Sequence, residues 1–72
     1  MNKQTLVRRI LIENGGKVFI TQAKASKIMG VGIPRFKEIM KGYDYRVGGK
    51  GNARNYLVDD VAEAFIRGGK SC

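Results

Sequence analysis

Basic residues are concentrated in residues 22–41, whose sequence is QAKASKIMGVGIPRFKEIMK. Guanidinium and ammonium groups bind phosphate oxygens, and a guanidinium can also pair with the edge of a guanine. The chain carries a formal net charge of +8 and a pI near 10.1, which favours polyanionic partners. The charge and its clustering predict a surface that binds nucleic acid. A basic surface that serves only solubility is the alternative.

The apolar residues of the same segment predict two helices joined by a tight turn. Ala25, Ile28 and Met29 recur at helical spacing, and Gly30 can adopt the left-handed conformation that ends a helix. A second helix is expected to begin at Pro34, whose missing N–H would have no helical partner there. We expect it to bury Phe36 together with Ile39 and Met40.

This pattern predicts a helix-turn-helix over residues 21–41 with a basic outer side. The second helix would lie in the major groove of DNA, and its outward residues are Arg35, Lys37, Glu38 and Lys41. The alternative is an amphipathic helical hairpin whose basic side is merely solvated.

The chain changes to a two-residue period after Gly42, which predicts a β-hairpin, or wing, over residues 43–58. Its glycine-rich tip and second strand supply Lys50, Asn52 and Arg54, which could donate to the DNA backbone or minor groove. An ordinary loop with an incidental lysine is the alternative. Further phosphate contacts are expected from Thr21, Lys24, Lys27 and Arg46.

The remaining segments complete one domain over residues 1–67. A first helix is expected within residues 1–16, from Lys3 to Asn14, and Thr21 should cap the helix that follows. A last helix is expected over residues 59–67, with Asp60 and Glu63 forming a capping box, and residues 68–72 should be a disordered tail. The predicted fold is mainly α with a small β-hairpin: a winged helix-turn-helix preceded by an extra N-terminal helix.

Residue types argue against an enzyme. The chain has no histidine and one cysteine, Cys72, so the sequence predicts no metal centre, no cofactor and no internal disulfide. A free thiol fits a reducing cytoplasm. Because Arg8 and Arg9 interrupt the first apolar segment, we expect neither a signal peptide nor a membrane span.

Two motifs, ASKIMGVGIPRFKEIMKG and NYLVDDVAEAFI, resemble the MerR-type winged-helix superfamily, and in particular the small excisionases of phages and integrative elements. The resemblance covers about residues 19–66. The segment RVGGKGNARNYLVDDV also resembles the winged DNA-binding domain of some phage terminase small subunits. The extra N-terminal helix departs from all of these patterns.

The resemblance implies an architectural protein that binds double-stranded DNA without catalysis of its own. It would bend DNA near recombination sites, direct an integrase or other recombinase towards excision, and could self-associate along DNA. A compact transcriptional repressor of a mobile element would use the same surface. A protein-interaction module, acting as an adaptor or inhibitor, is the alternative from another class; it would use the basic face or the first helix, where Val7, Leu11 and Ile12 could exceed what the core covers.

Overall fold

The computed structural model describes residues 2–48, 51 and 53–69. Within them, the chain forms four helices and a three-stranded antiparallel sheet. In chain order these are α1 (Lys3–Glu13), β1 (Phe19–Thr21), α2 (Gln22–Met29), α3 (Ile33–Ile39), β2 (Arg46–Gly48), β3 (Ala53–Leu57) and α4 (Val58–Gly69).

The sheet has the strand order β1-β3-β2, so the hairpin strands β2 and β3 are joined by a strand from before α2. Ile20 of β1 lies opposite Tyr56 of β3, and both side chains are buried against the helices. We call this side of the sheet the inner face. The opposite side, or outer face, carries the row of paired residues Thr21, Asn55 and Arg46.

One hydrophobic core joins the helices to the inner face. Phe36 of α3 is fully buried, and its ring contacts the rings of Tyr56 and Phe65 at centroid distances of 5.5 Å and 5.8 Å. The other buried apolar residues come from α1, α2, α4 and β1 and from the residue that follows α3. They are Leu6, Ile10, Ile20, Ala25, Met40, Val58, Val61, Ala62 and Ala64.

Several sequence predictions are confirmed locally. The Thr21 Oγ1 atom accepts a hydrogen bond from the Lys24 backbone N–H at 3.2 Å, as expected of an N-cap. Gly30 has φ 72° and ψ 31°, the left-handed conformation expected at the end of α2. The hairpin is also present, although its strands are shorter than the predicted range 43–58.

Helix boundaries differ from the prediction at two places. α3 begins at Ile33, with Pro34 second, and ends at Ile39, so Lys41 lies in the turn that leads to Gly42 and outside the helix. α4 begins at Val58, directly after β3, with no loop between strand and helix. The Val58 N–H donates a hydrogen bond to the Val18 carbonyl. The predicted Asp60–Glu63 capping box is therefore wrong, since Asp60 lies inside the first turn.

The last helix also extends two residues beyond its predicted end. Gly68 lies close to α3, where an added Cβ would be 3.6 Å from the Ile39 Cγ2 atom. Packing against α3 thus continues into the segment predicted to be a disordered tail. The rest of that tail, residues 70–72, lies outside the described residues.

Candidate nucleic-acid interface

The two helices α2 and α3 and the turn after them display a group of exposed cations. Residues 15–43 contain six Lys and Arg side chains and one acid, Glu38. All the predicted cations of these helices and the following turn are exposed: Lys24, Lys27, Arg35, Lys37 and Lys41. Exposed cations with few acids among them give a surface that attracts phosphates.

Short-range hydrogen bonds close the end of α2 and the turn that follows it. The Ser26 hydroxyl donates to the Ala23 carbonyl at 2.9 Å, and the Val31 N–H donates to the Ser26 carbonyl at 3.0 Å. Only three residues, 30–32, separate α2 from α3. Because buried Phe36 anchors α3 in the core, the opposite side of this helix faces solvent with Arg35 and Lys37 on it.

Arg35 and Glu38, two of the predicted groove residues, bind each other. The Arg35 Nη1 atom lies 2.9 Å from Glu38 Oε1, and both side chains are more than half exposed. An exposed ion pair of this kind contributes little stability. It does limit the orientations of the guanidinium while leaving its other N–H groups available to a ligand.

The two described arginines of the hairpin lie on opposite faces of the sheet. Arg46 pairs with Asn55 in the ladder and Val47 pairs with Arg54, so side-chain alternation places Arg46 on the outer face and Arg54 on the inner face. A single ligand surface therefore does not include both. The predicted tip residues Lys50 and Asn52 lie outside the described residues.

Arg54 is joined to α3 through a continuous series of aromatic rings. Its guanidinium carbon lies 4.5 Å from the centroid of Tyr45, within range of a cation–π interaction. The Tyr45 ring lies 5.6 Å from that of Tyr56, which contacts Phe36. These contacts link Arg54 of the inner face to α3.

Thr21 has the predicted N-cap role, and its predicted phosphate contact stays a prediction. Its side chain is half-buried, and its hydroxyl oxygen already accepts the capping hydrogen bond of α2. The hydroxyl hydrogen can still be donated to a ligand on the outer face.

Half of the acids lie at the start of α4, where three of the six acidic residues fall within residues 59–63. Lys3 lies 3.5 Å from both Asp59 and Glu63, and the Tyr43 hydroxyl donates to Glu63 at 3.0 Å. These contacts tie α1 and the segment before β2 to α4.

The pKa values at this acidic corner follow from these contacts. The Tyr43 hydrogen bond, followed by the charge of Lys3, lowers the pKa of Glu63 below its ordinary value. Burial, together with repulsion from Glu63 and Asp59, raises the pKa of Asp60. Desolvation opposes the shift at Lys3, but attraction to Asp59 and Glu63 raises its pKa.

Sequence reasoning did not identify Tyr45 and Tyr43 as residues that position the site. Their alternation with Asp44 and Arg46 indicated a strand, whereas both precede β2. Their partners, Arg54 for Tyr45 and Glu63 for Tyr43, are distant in sequence. In the sequence, Tyr45 stands next to Arg46, which indicates an arginine–aromatic contact but not its actual partner, Arg54.

No known protein family matches the chain, and neither a characterised protein nor a solved structure matches it. Among the described residues, no group of acidic, cysteine or histidine side chains could hold a metal ion. Within the same residues, no helix combines the length and hydropathy needed to cross a membrane.

Proposed function

We propose that the protein binds double-stranded DNA through α2, α3 and the inner face of its hairpin. The observation that carries this proposal is the group of exposed cations on α2, α3 and the turn after them, where Glu38 is the one acid within residues 15–43. A duplex approaching α3 would therefore meet more cations than acids. Phosphate neutralisation by such cations supplies much of the affinity of DNA-binding proteins.

The order of the elements supports a winged helix-turn-helix. Two helices separated by three residues are followed by a hairpin, and that hairpin is anchored by a third strand and by the Tyr45–Tyr56–Phe36 contacts. In this arrangement α3 enters the major groove, with Arg35 and Lys37 reaching base edges and phosphates. Arg54 follows the adjoining backbone or minor groove, and Lys41 contacts a phosphate from the turn.

Within this class, the proposed role is that of an excisionase-like architectural factor that bends DNA and directs a recombinase. It rests on the resemblance of the two sequence motifs. A compact repressor of a mobile element is the nearest competitor. A ladder of cooperative complexes on DNA carrying attachment sites favours the architectural role, and one complex on a single operator favours the repressor.

The first test is a gel-shift titration on DNA from around the gene, at two salt concentrations and with random competitor DNA. The variant Lys37→Gln/Lys41→Gln removes two cations near α3, and Arg8→Gln/Arg9→Gln removes two exposed cations from α1 as a charge-matched control. We expect the first variant to reduce the slope of log affinity against log salt by about two and the control to leave it nearly unchanged. Equal losses in both variants, or no complex that resists competitor, would contradict the proposal.

A second candidate function, protein interaction through α1, is favoured by one observation. Ile12 is 73% exposed although it belongs to an apolar stretch of that helix. Val7 and Leu11, however, pack partly against the core, so the apolar surface of α1 is smaller than the sequence indicated. Ile12→Ser should abolish such an interaction while leaving the DNA complexes intact.

A further inference from the structure

The outer face of the sheet carries an open groove that the proposed duplex surface does not use. Its volume is about 590 Å³, and it lies over all three strands. Described residues lining it include Phe19, Thr21, Arg46, Gly48, Ala53 and Asn55. Gly48 and Ala53 lie opposite each other in the ladder. Because glycine has no side chain and alanine has only a methyl group, the floor of the groove is open there.

The chemistry of the groove combines hydrogen-bond donors with an aromatic surface. Thr21, Asn55 and Arg46 form one row across the strands, which brings a hydroxyl, an amide and a guanidinium side by side. The Arg46 guanidinium carbon lies 5.1 Å from the centroid of the Phe19 ring. Such a pair can receive a nucleobase by stacking while the neighbouring donors hold a phosphate.

Charge favours an anionic ligand in this groove. No acid lines it among the described residues, and no ion pair within that part of the chain neutralises Arg46. A smaller pocket of about 250 Å³ shares Phe19, Arg46 and Asn55 with the groove, and its other lining residues include Asp44 and Asp60. Asp44 and Asp60 repel phosphates from the smaller pocket, so we expect an anionic strand to bind in the larger groove.

We propose that the outer face binds single-stranded nucleic acid, with one base stacked at Arg46 and Phe19 and its phosphate held by the Thr21–Asn55–Arg46 row. A groove about three strands wide, roughly 10–15 Å, accommodates one or two nucleotides but is too narrow for a duplex. This site is separate from the proposed duplex surface, because the sheet lies between Arg46 and the face that contacts α3.

The test is fluorescence anisotropy of the full chain with a labelled oligothymidine of about eight nucleotides, at low and moderate salt. Arg46→Gln should weaken this binding by roughly fivefold or more, because it removes both the stacked cation and a phosphate contact. The matched control is Arg54→Gln, which breaks the equivalent arginine–aromatic pair on the inner face. It should change oligothymidine binding by less than about twofold.

A second measurement locates the ligand independently of any variant. Addition of oligothymidine should shift the amide NMR signals of Phe19, Thr21, Arg46 and Asn55, and leave those of Lys37 and Lys41 in place. Equal losses in Arg46→Gln and Arg54→Gln, shifts confined to α3, or absence of binding at low salt would each overturn the proposal. So would tight binding of thymidine monophosphate alone, because it would make the groove a mononucleotide pocket. Failure here leaves the duplex gel shift unaffected, so the two proposals fail separately.

Discussion

The two faces of the small sheet carry similar pairs in different settings. On the inner face, the Arg54 guanidinium lies over Tyr45, and ring contacts continue from Tyr45 through Tyr56 to buried Phe36. On the outer face, the Arg46 guanidinium lies over Phe19 beside an open groove. The first pair is therefore linked to the core through Tyr56, although Tyr45 itself is 44% exposed, and the second pair borders an accessible groove. Similar cation–π pairs are thus held in two ways: one by ring contacts that reach the core, and the other beside an open groove.

The largest difference between the faces should be in stability. Phe36→Ala should lower the free energy of unfolding by about 3–5 kcal/mol, because it leaves a cavity where the inner-face rings meet the helices. Phe19→Ala should cost about 1–2 kcal/mol, since its ring is only half-buried. Urea denaturation followed by circular dichroism measures both. A Phe19 variant as unstable as the Phe36 variant would show that the outer face belongs to the core.

The next difference should be in duplex binding. Arg54→Gln should weaken the duplex complex by about five- to tenfold and lower the salt slope by about one, as expected for one lost phosphate contact. Arg46→Gln should change duplex affinity by less than about twofold, since its side chain projects from the opposite face. Gel-shift titrations at several salt concentrations compare them. If the two variants are equivalent on duplex DNA, the faces are not functionally distinct.

A smaller effect should show how Tyr45 positions Arg54. Tyr45→Leu removes the aromatic face, so it should weaken duplex binding in the wild type and have little effect once Arg54→Gln is present. The coupling energy in this double-mutant cycle should be about 0.5–1 kcal/mol. Tyr45→Phe keeps the ring and should bind as the wild type does. Additive losses would indicate that Tyr45 contacts DNA by itself.

The sequence predicted those parts of this comparison that depend on local chemistry. Thr21 and Gly30 have side chains or conformations that define helix ends within a few residues, and both were assigned correctly. The start of α4 was missed because it depends on the pairing of β1 with β3. That pairing continues in the hydrogen bond from the Val58 N–H to the Val18 carbonyl. Such pairing joins segments far apart in the chain, and no local pattern specifies it.

The faces of the arginines were unpredictable for a related reason. Both Arg46 and Arg54 were expected to contact DNA, but which side of the sheet each occupies depends on the register of the hairpin. A shift of one residue would exchange the faces of a whole strand. The exposure of Lys24, Lys27 and Lys37 followed more simply, because helical periodicity fixes which residues oppose the core.

The smallest effect concerns the acidic corner, where Tyr43 fastens the segment before β2 to α4. The folded-state pKa of Glu63 is lowered from an ordinary value of 4.5, chiefly by the Tyr43 hydrogen bond. The Glu63 carboxylate therefore stabilises the folded protein at pH values above its unfolded-state pKa. This contribution is lost as the pH falls through its folded-state pKa. Tyr43→Phe should raise the pKa of Glu63 and destabilise the protein more at about pH 6 than at about pH 3.

Urea denaturation at the two pH values, with a carboxyl NMR titration of Glu63, measures this prediction directly. Ile12→Ser is the control, because Ile12 is uncharged and 73% exposed on α1, so its replacement should have the same effect at both pH values. A destabilisation by Tyr43→Phe that is independent of pH would mean that the ring, through packing, and not the hydroxyl, holds the hairpin to α4. The segment before β2 would then be held to α4 by apolar packing, without a contribution from the Tyr43–Glu63 hydrogen bond.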